Sequence, residues 1–443
     1  MKNDMLKGNP VKSIIMFALP IMASALLQYS YNLVDNIIVG RYISEEALAA
    51  VGSIGPINSF IIGTALGLTS GFTIPVSHRF GAGDKKKMNL YAGSSITLSA
   101  VVGITIVIIA HIVSNPILRL IKTPSNIIDL SSAYVNILYF GVPLQMLFNN
   151  FTSISRAVGD SKKPTVFIVI SVLTNLVLDI LFVGVLELGV EGAAAATVIS
   201  YGVAAVLSGI YVMKRQPELD IKKNDLKPNL RISWEQLKLG IPVSLQFTIT
   251  SIGSMILQSA INSFGSTAVA SITAASRVEQ ITNIPMSGLG VGNSTFVAQN
   301  YGAENYKRII ESVRKILILD LIISLICSAI LIFAGPYVVR LFIENPSAEI
   351  MDYANQYLFT IGGCYCLVSL LFVFRNTLQG LGITYANTIA GAGELLGRML
   401  VAYLLTPVFG FAGVCFAGPA AWLLADIPLI ILYLRVKRQK LLQ

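Results

Sequence analysis

Two aspartates set deep in apolar sequence, Asp35 and Asp179, are the residues with the clearest chemical potential in this chain. An ionisable side chain at bilayer depth costs roughly 2.5–3.5 kcal/mol on insertion scales, so each is a functional candidate by default. Asn175 lies one helical turn before Asp179 on the same face, and Thr197 falls on the next apolar segment. At a rise of about 1.5 Å per residue, Asp35, Asp179 and Thr197 sit within one turn of the same depth. Gln28, Tyr31 and Asn32 share the helix face of Asp35. The set offers two carboxylates, an amide carbonyl and a hydroxyl, and such oxygens suit a hard cation. Two carboxylates held together cannot both keep their charge cheaply, so the pair can also hold a proton. The plainer reading is that the two acids only pair within a wet cavity.

The other charges in apolar sequence read differently. Glu394 and Arg398 are four apart in the favourable order and are expected to form an ion pair within one helix. Arg277 and Glu279 are two apart and cannot face each other; lining a cavity and meeting other helices both stay open. Asp320 and Asp426 are expected toward the cytoplasmic side, near basic loops. The four cysteines, Cys327, Cys364, Cys366 and Cys415, lie in apolar segments and show neither a disulfide framework nor zinc spacing. The two histidines lack a second ligand, and no phosphate-binding G-x-x-x-x-G-K-[ST] run is present. No resident cofactor, metal centre or catalytic group is expected, so the chain does not read as an enzyme.

The elements that hold these residues follow from composition. Of the 443 residues, 54% are hydrophobic and only 12% charged, where a soluble domain has about 25%. That excludes a soluble enzyme, a disordered chain and a nucleic-acid module. Segments of about 20 apolar residues span a bilayer as helices. Twelve are expected, near 14–40, 50–77, 91–114, 131–156, 164–187, 190–213, 236–262, 268–298, 311–334, 352–376, 385–407 and 410–434. Pro20, Pro75, Pro143, Pro242 and Pro285 fall inside them and read as kinks. The termini and even-numbered loops hold 26 of the 32 Lys and Arg residues. The positive-inside rule then places both termini in the cytoplasm, with the first span retained as a helix in the cytoplasmic membrane.

The chain is written twice. Val76, Phe80, Gly81 and Ala82 recur 221 positions later as Val297, Tyr301, Gly302 and Ala303, and Gly67, Gly71 and Gly141 recur as Gly288, Gly292 and Gly362. Six spans per copy is an even number, so both copies start on the same side. The expected fold is an all-α polytopic membrane protein of twelve helices, in two six-helix bundles related by a pseudo-two-fold axis along the membrane normal. The bundles are residues 1–213 and 236–443, joined by a basic cytoplasmic linker at 214–235. Two bundles about a cavity suit alternating access.

The segment LPIMASALLQYSYNLVDNIIVGR from Leu19 to Arg41, followed by EALAAVGSIGP, resembles the opening of multidrug and toxic compound extrusion (MATE) transporters of the bacterial DinF-like branch. The GAGD turn at Gly81–Asp84, RAVGDSKKP at Arg156–Pro164 and QGLG at Gln379–Gly382 extend the resemblance over the whole chain. The resemblance implies a secondary antiporter that exports organic compounds, cationic or amphipathic, in exchange for Na⁺ or H⁺. It places the cation on Asp35, Asn175, Asp179 and Thr197, and Gln28 and Tyr31 at the cavity of the same lobe. It implies a monomer in the lipid bilayer with no nucleic-acid partner. A flippase for lipid-linked substrates is the alternative; such proteins carry more basic residues in a central cavity than Arg277 and Arg398 supply.

Overall fold

Inside a bilayer each backbone N–H and C=O must find a partner within its own segment, so apolar runs become helices. In the computed structural model every regular element among the described residues is helical. The description covers residues 5–120, 124, 127–343 and 346–442, without the side chains at 32–34, 36, 37, 39–42, 45, 48, 56, 115, 117, 119, 120 and 341.

Twelve helical segments coincide with the twelve expected. They are α1 (Pro10–Tyr42), α2 (Gly55–Phe72 continuing as Ile74–Gly81), α3 (Lys85–Leu120), and α4 (Ile128–Phe140 and Val142–Ala157). Next come α5 (Lys162–Asp179, then a π-helical turn at Ile180–Val185), α6 (Gly189–Lys214), α7 (Leu230–Asn262) and α8 (Gly265–Gly302). The last four are α9 (Tyr306–Ala329, a π-helical turn at Ile330–Ala334, then Gly335–Phe342), α10 (Ala348–Gly363 and Cys366–Gly380), α11 (Tyr385–Leu400, a π-helical turn at Val401–Leu405, then Thr406–Phe409) and α12 (Phe411–Cys415 and Ala417–Val436). A short helix, Glu45–Ser53, precedes α2; its first turn is capped by Ser44, which accepts from the Ala47 N–H at 3.1 Å.

Among the described residues, nine helices are long and apolar enough to cross a membrane alone, and the two parts of α10, bent by 53°, add a tenth. The remaining two depart from a simple apolar rod for visible reasons. Gly141 breaks α4 into two shorter helices, with Pro143 in the first turn of the second. Helix α8 runs unbroken for 38 residues but carries buried Ser271, Thr282, Asn293, Gln299 and Asn300. Pro75 likewise opens a helical segment, whereas Pro20, Pro242 and Pro285 sit within helices.

The chain packs as two units that cut across the halves set out from the repeat. One is Ala23–Ser244; the other is the N-terminal segment as far as Met22 together with Leu245–Gln443. The changeovers fall inside α1 and α7, beside Pro20 and Pro242. In the first unit, glycines let α7 lie against α2: a Cβ on Gly67 would come within 2.5 Å of the Ser244 backbone, and one on Gly71 within 2.3 Å of Gly240. Residues of the 214–235 segment are fastened to this unit too. Thr97 donates to the Leu226 carbonyl at 2.7 Å, and just beyond the segment Gln236 donates to the carbonyls of Phe72 and Tyr91 at 3.0 and 2.8 Å. In the second unit the start of the chain is held in the same manner. Asn300 and Arg308 donate to the Met5 carbonyl at 3.0 and 3.2 Å, and Arg308 reaches the Gly8 carbonyl at 2.8 Å. Tyr365, Phe17, Phe296 and Leu331 are fully buried in that unit's core.

The duplication extends to backbone conformation. The break at Gly141 returns as the bend after Gly362, and the π-helical turn after Asp179 returns after Leu400, each 221 positions on. Gly189 and Gly410 share left-handed φ values of 62° and 58°; Gly83 at 71° is matched by Glu304 at 57°.

Candidate cation site

Helices α1 and α5 bring four of the sequence-derived residues, Tyr31, Asp35, Asn175 and Asp179, into one neighbourhood. The Asn175–Asp179 spacing puts both side chains on one face of α5, where Asn175 donates to Asp179 Oδ2 at 2.9 Å. Tyr31 on α1 donates its hydroxyl hydrogen to Asn175 Oδ1. Asp35, one turn further along α1, lies close enough to the Asp179 carboxyl for the two groups to act on each other electrostatically. Two carboxyl groups at that range repel unless a proton or a cation lies between them. Asp179 and Asn175 are buried, and Asp35 Oδ1 and Asp179 Oδ1 are both enclosed without a hydrogen-bond partner. Free acceptor oxygens in a water-poor place are costly, which marks this as a place for a positive charge.

The π-helical turn begins directly after Asp179. A wide turn of this kind shifts the register of the helix and recurs at functional positions. Thr197 on α6 donates its hydroxyl hydrogen to the Ala193 carbonyl of its own helix at 3.1 Å, which leaves the oxygen able to accept. Gln28 is exposed on α1, and the Asn32 side chain lies outside the described residues.

Residues that the spacing did not single out complete the surroundings. Tyr134 on α4 and Tyr201 on α6 lie within electrostatic reach of Asp35, and Gln145 donates to the Tyr201 hydroxyl at 3.3 Å. Tyr201 stands four residues after Thr197, a helical spacing that could have flagged it; Tyr134 and Gln145 arrive by tertiary packing and carry no local signal.

The second unit holds the other charges. Glu394 lies 3.6 Å from Arg398, as the spacing suggested, and 3.4 Å from Arg375 on α10. Thr250 donates to Glu394 at 3.3 Å and accepts from Arg398 through its carbonyl at 2.9 Å. Glu279 accepts from the Tyr357 hydroxyl at 2.6 Å, and Arg277 is half-buried. Asp320 and Asp426 are buried within helices, and neither carboxylate has a hydrogen-bond partner. Among the described residues no three His, Cys, Asp or Glu side chains gather as a metal centre would require.

A family model settles what kind of protein this is. The MatE model matches the chain twice, over residues 20–181 and 242–404. The chain belongs to the MATE family. Its two matched stretches begin 222 positions apart, in step with the internal repeat. A relative described as probable multidrug resistance protein YpnP, from Bacillus subtilis (strain 168), is 30% identical over 383 residues, 86% of this chain and 84% of that one. The multidrug export protein MepA of Staphylococcus aureus (strain NCTC 8325 / PS 47) is 25% identical over 94% of this chain and 92% of its own length. Among solved structures, a multidrug resistance MATE family transporter of the MOP superfamily, in an outward-facing conformation, superposes with a TM-score of 0.90 at 26% identity, covering 99% of this chain and 98% of that one. This MATE protein is therefore a multi-pass membrane transporter and not an enzyme.

Proposed function

We propose that this MATE protein exports organic compounds, cationic or amphipathic, across the cytoplasmic membrane in exchange for Na⁺ or H⁺, with both termini in the cytoplasm and a single chain as the working unit. The observation that carries this reading is the Asp35–Asp179 carboxyl pair, with one enclosed, unpartnered oxygen on each side chain. The names of the relatives, multidrug resistance and multidrug export, support the substrate class.

Asp35 and Asp179 hold the coupling ion between them. A proton bridges the two carboxyls, whereas Na⁺ draws on both carboxylates and on the oxygens of Asn175 and Thr197. One site then serves both ions in turn, because protonation removes a ligand that Na⁺ needs. Occupation cancels charge in a low-dielectric place and lets α1 and α5 close together; release restores the repulsion and separates them. Repeated between the two faces of the membrane, that change of state gives alternating access. Gln28 and Tyr31 on α1 sit along the same helix as Asp35, so substrate and ion act on one element. The two six-helix halves, 1–213 and 236–443, are the repeating units, with 214–235 between them.

The test is export from proteoliposomes under imposed Na⁺ and pH gradients. Asp35→Asn and Asp179→Asn keep the side-chain size and remove the charge; each is expected to abolish gradient-driven export at normal protein abundance. Near-normal export in both variants would overturn the assignment.

A further inference from the structure

The second unit encloses a cavity of about 180 Å³ whose lining includes Glu279 on α8, Tyr357 on α10, Arg398 on α11 and Trp422 on α12. We propose that this cavity is a binding site for a small zwitterion: an ammonium group against Glu279, a carboxylate against Arg398, and an apolar body of about the size of a leucine side chain between them. The proposal is independent of the cation site, since every lining residue belongs to the second unit.

The charges argue first. Glu279 is held by neutral donors, the Tyr357 hydroxyl at 2.6 Å and the Asn283 side chain. Arg398 is fixed from behind, by the Thr250 carbonyl at 2.9 Å and by Glu394 at 3.6 Å. Glu394 also serves Arg375 at 3.4 Å, and Asp426 lies within electrostatic reach of Arg375, so Arg375 has acids of its own and Arg398 is the guanidinium that lines the chamber with Glu279. Arg398 and Glu279 thus present opposite charges to one chamber, and planar guanidinium donors suit a ligand carboxylate. The backbone makes room for this arrangement. A Cβ on Gly253 would stand 3.2 Å from the Arg398 side chain, so glycine there leaves the guanidinium its place.

Size and lining argue second. About 180 Å³ equals roughly six times the ~30 Å³ share of a water molecule and lies below the ~300 Å³ at which drug-sized pockets begin. Leu257, Ile261, Ile272 and Val414 supply an apolar wall, and Trp422, 8% exposed, supplies an aromatic one. Opposite charges on a small apolar chamber match an amino-acid-like molecule and reject a large organic cation. The corresponding positions 221 residues earlier are Asn58 for Glu279 and Val177 for Arg398, so the first copy lacks both charges.

Trp422 provides the readout. The chain has two tryptophans, and Trp234→Phe leaves Trp422 as the single reporter in purified full-length protein. Three probes share one branched body: L-leucine with both charges, isoamylamine with the ammonium alone, and 4-methylpentanoate with the carboxylate alone. L-Leucine is expected to change Trp422 emission saturably, and each single-charge probe to bind about tenfold more weakly, the size of one lost hydrogen bond to a charged group. Glu279→Gln should weaken L-leucine about tenfold and leave 4-methylpentanoate unchanged; Arg398→Lys should weaken both carboxylate-bearing probes and leave isoamylamine unchanged. Unaltered thermal unfolding of each variant shows that the fold is kept. The absence of a saturable response to L-leucine, equal responses to the three probes, or equal loss of all three in Glu279→Gln would each overturn the proposal. None of these outcomes bears on Asp35 or Asp179, whose failure would show in gradient-driven export alone.

Discussion

Tyr31 gives its hydroxyl hydrogen to Asn175 Oδ1, the oxygen that a Na⁺ ion between Asp35 and Asp179 would draw upon. A hydrogen bond of this kind contributes about 1 kcal/mol net, or roughly a fivefold change in an equilibrium constant. Tyr31→Phe is accordingly expected to tighten Na⁺ binding about fivefold, and Asn175→Ala to weaken it by at least as much, in calorimetric titrations of purified protein. Weakening by both would show that Tyr31 supports the ion and does not compete with it. The same titrations repeated between about pH 8 and pH 5 should show Na⁺ affinity falling with pH, because a proton occupies the carboxyl pair and takes the place of the metal. A pH-independent affinity would place the ion elsewhere. Much of this neighbourhood was legible in the sequence, because Asn175 and Asp179 are bound by helical spacing and Asp35 by depth. Tyr134, Gln145 and the Arg375–Glu394 contact were not legible, since each joins residues on different helices whose meeting depends on packing. The Asn32 side chain, expected on the same face, is outside the described residues.

At the scale of elements, the turn between α8 and α9 carries a strain that its counterpart avoids. Glu304 adopts φ 57°, where the first copy has Gly83 at 71°. A left-handed conformation costs a residue with a Cβ about 1–2 kcal/mol. Glu304→Gly should therefore stabilise the protein by about 1 kcal/mol in reversible denaturant unfolding, and Gly83→Ala should destabilise it by a similar amount. A second element-level feature is the contact of α11 with α12. A Cβ on Gly397 would come within 2.5 Å of the Ala421 backbone, and one on Gly393 within 2.6 Å of the Leu424 carbonyl. These are small residues four apart on one face, the pattern that lets membrane helices approach closely. Gly397→Leu should separate the two helices and lower the unfolding temperature by several degrees, while Leu396→Ala, on the outward face, should not. The helices themselves were readable from hydropathy. Their internal breaks were less so: Pro143 hints at the interruption of α4, but no residue type announces the π-helical turns after Asp179 and Leu400.

For the molecule as a whole, the proposed orientation puts the loops that carry the basic excess in the cytoplasm. Single cysteines placed at Lys86 and at Lys223, in a background without the native cysteines, should react with a membrane-impermeant thiol reagent only after cells are opened. Labelling of either in intact cells would invert the topology. The halves were visible as a repeat in the sequence, but the packing units were not. Their changeover lies within α1 and α7, and the glycines at 67 and 71 show their purpose only when α7 is laid against them.

The repeat at 221 positions preserves backbone features and discards side-chain chemistry. Gly141 and Gly362 both stand where a Cβ would crowd a neighbouring helix, at 2.9 Å from Val198 and 2.7 Å from Ile332. Asp35, Asn175, Asp179 and Thr197, in contrast, correspond to Ile256, Leu396, Leu400 and Gly418. The chain thus holds a spare copy of its form and no spare copy of the proposed ion site. A lesion at either glycine has a twin in the other half with the same kind of damage, whereas a lesion at Asp35 or Asp179 meets no understudy, and in a population of surviving variants those two positions should be the ones left untouched.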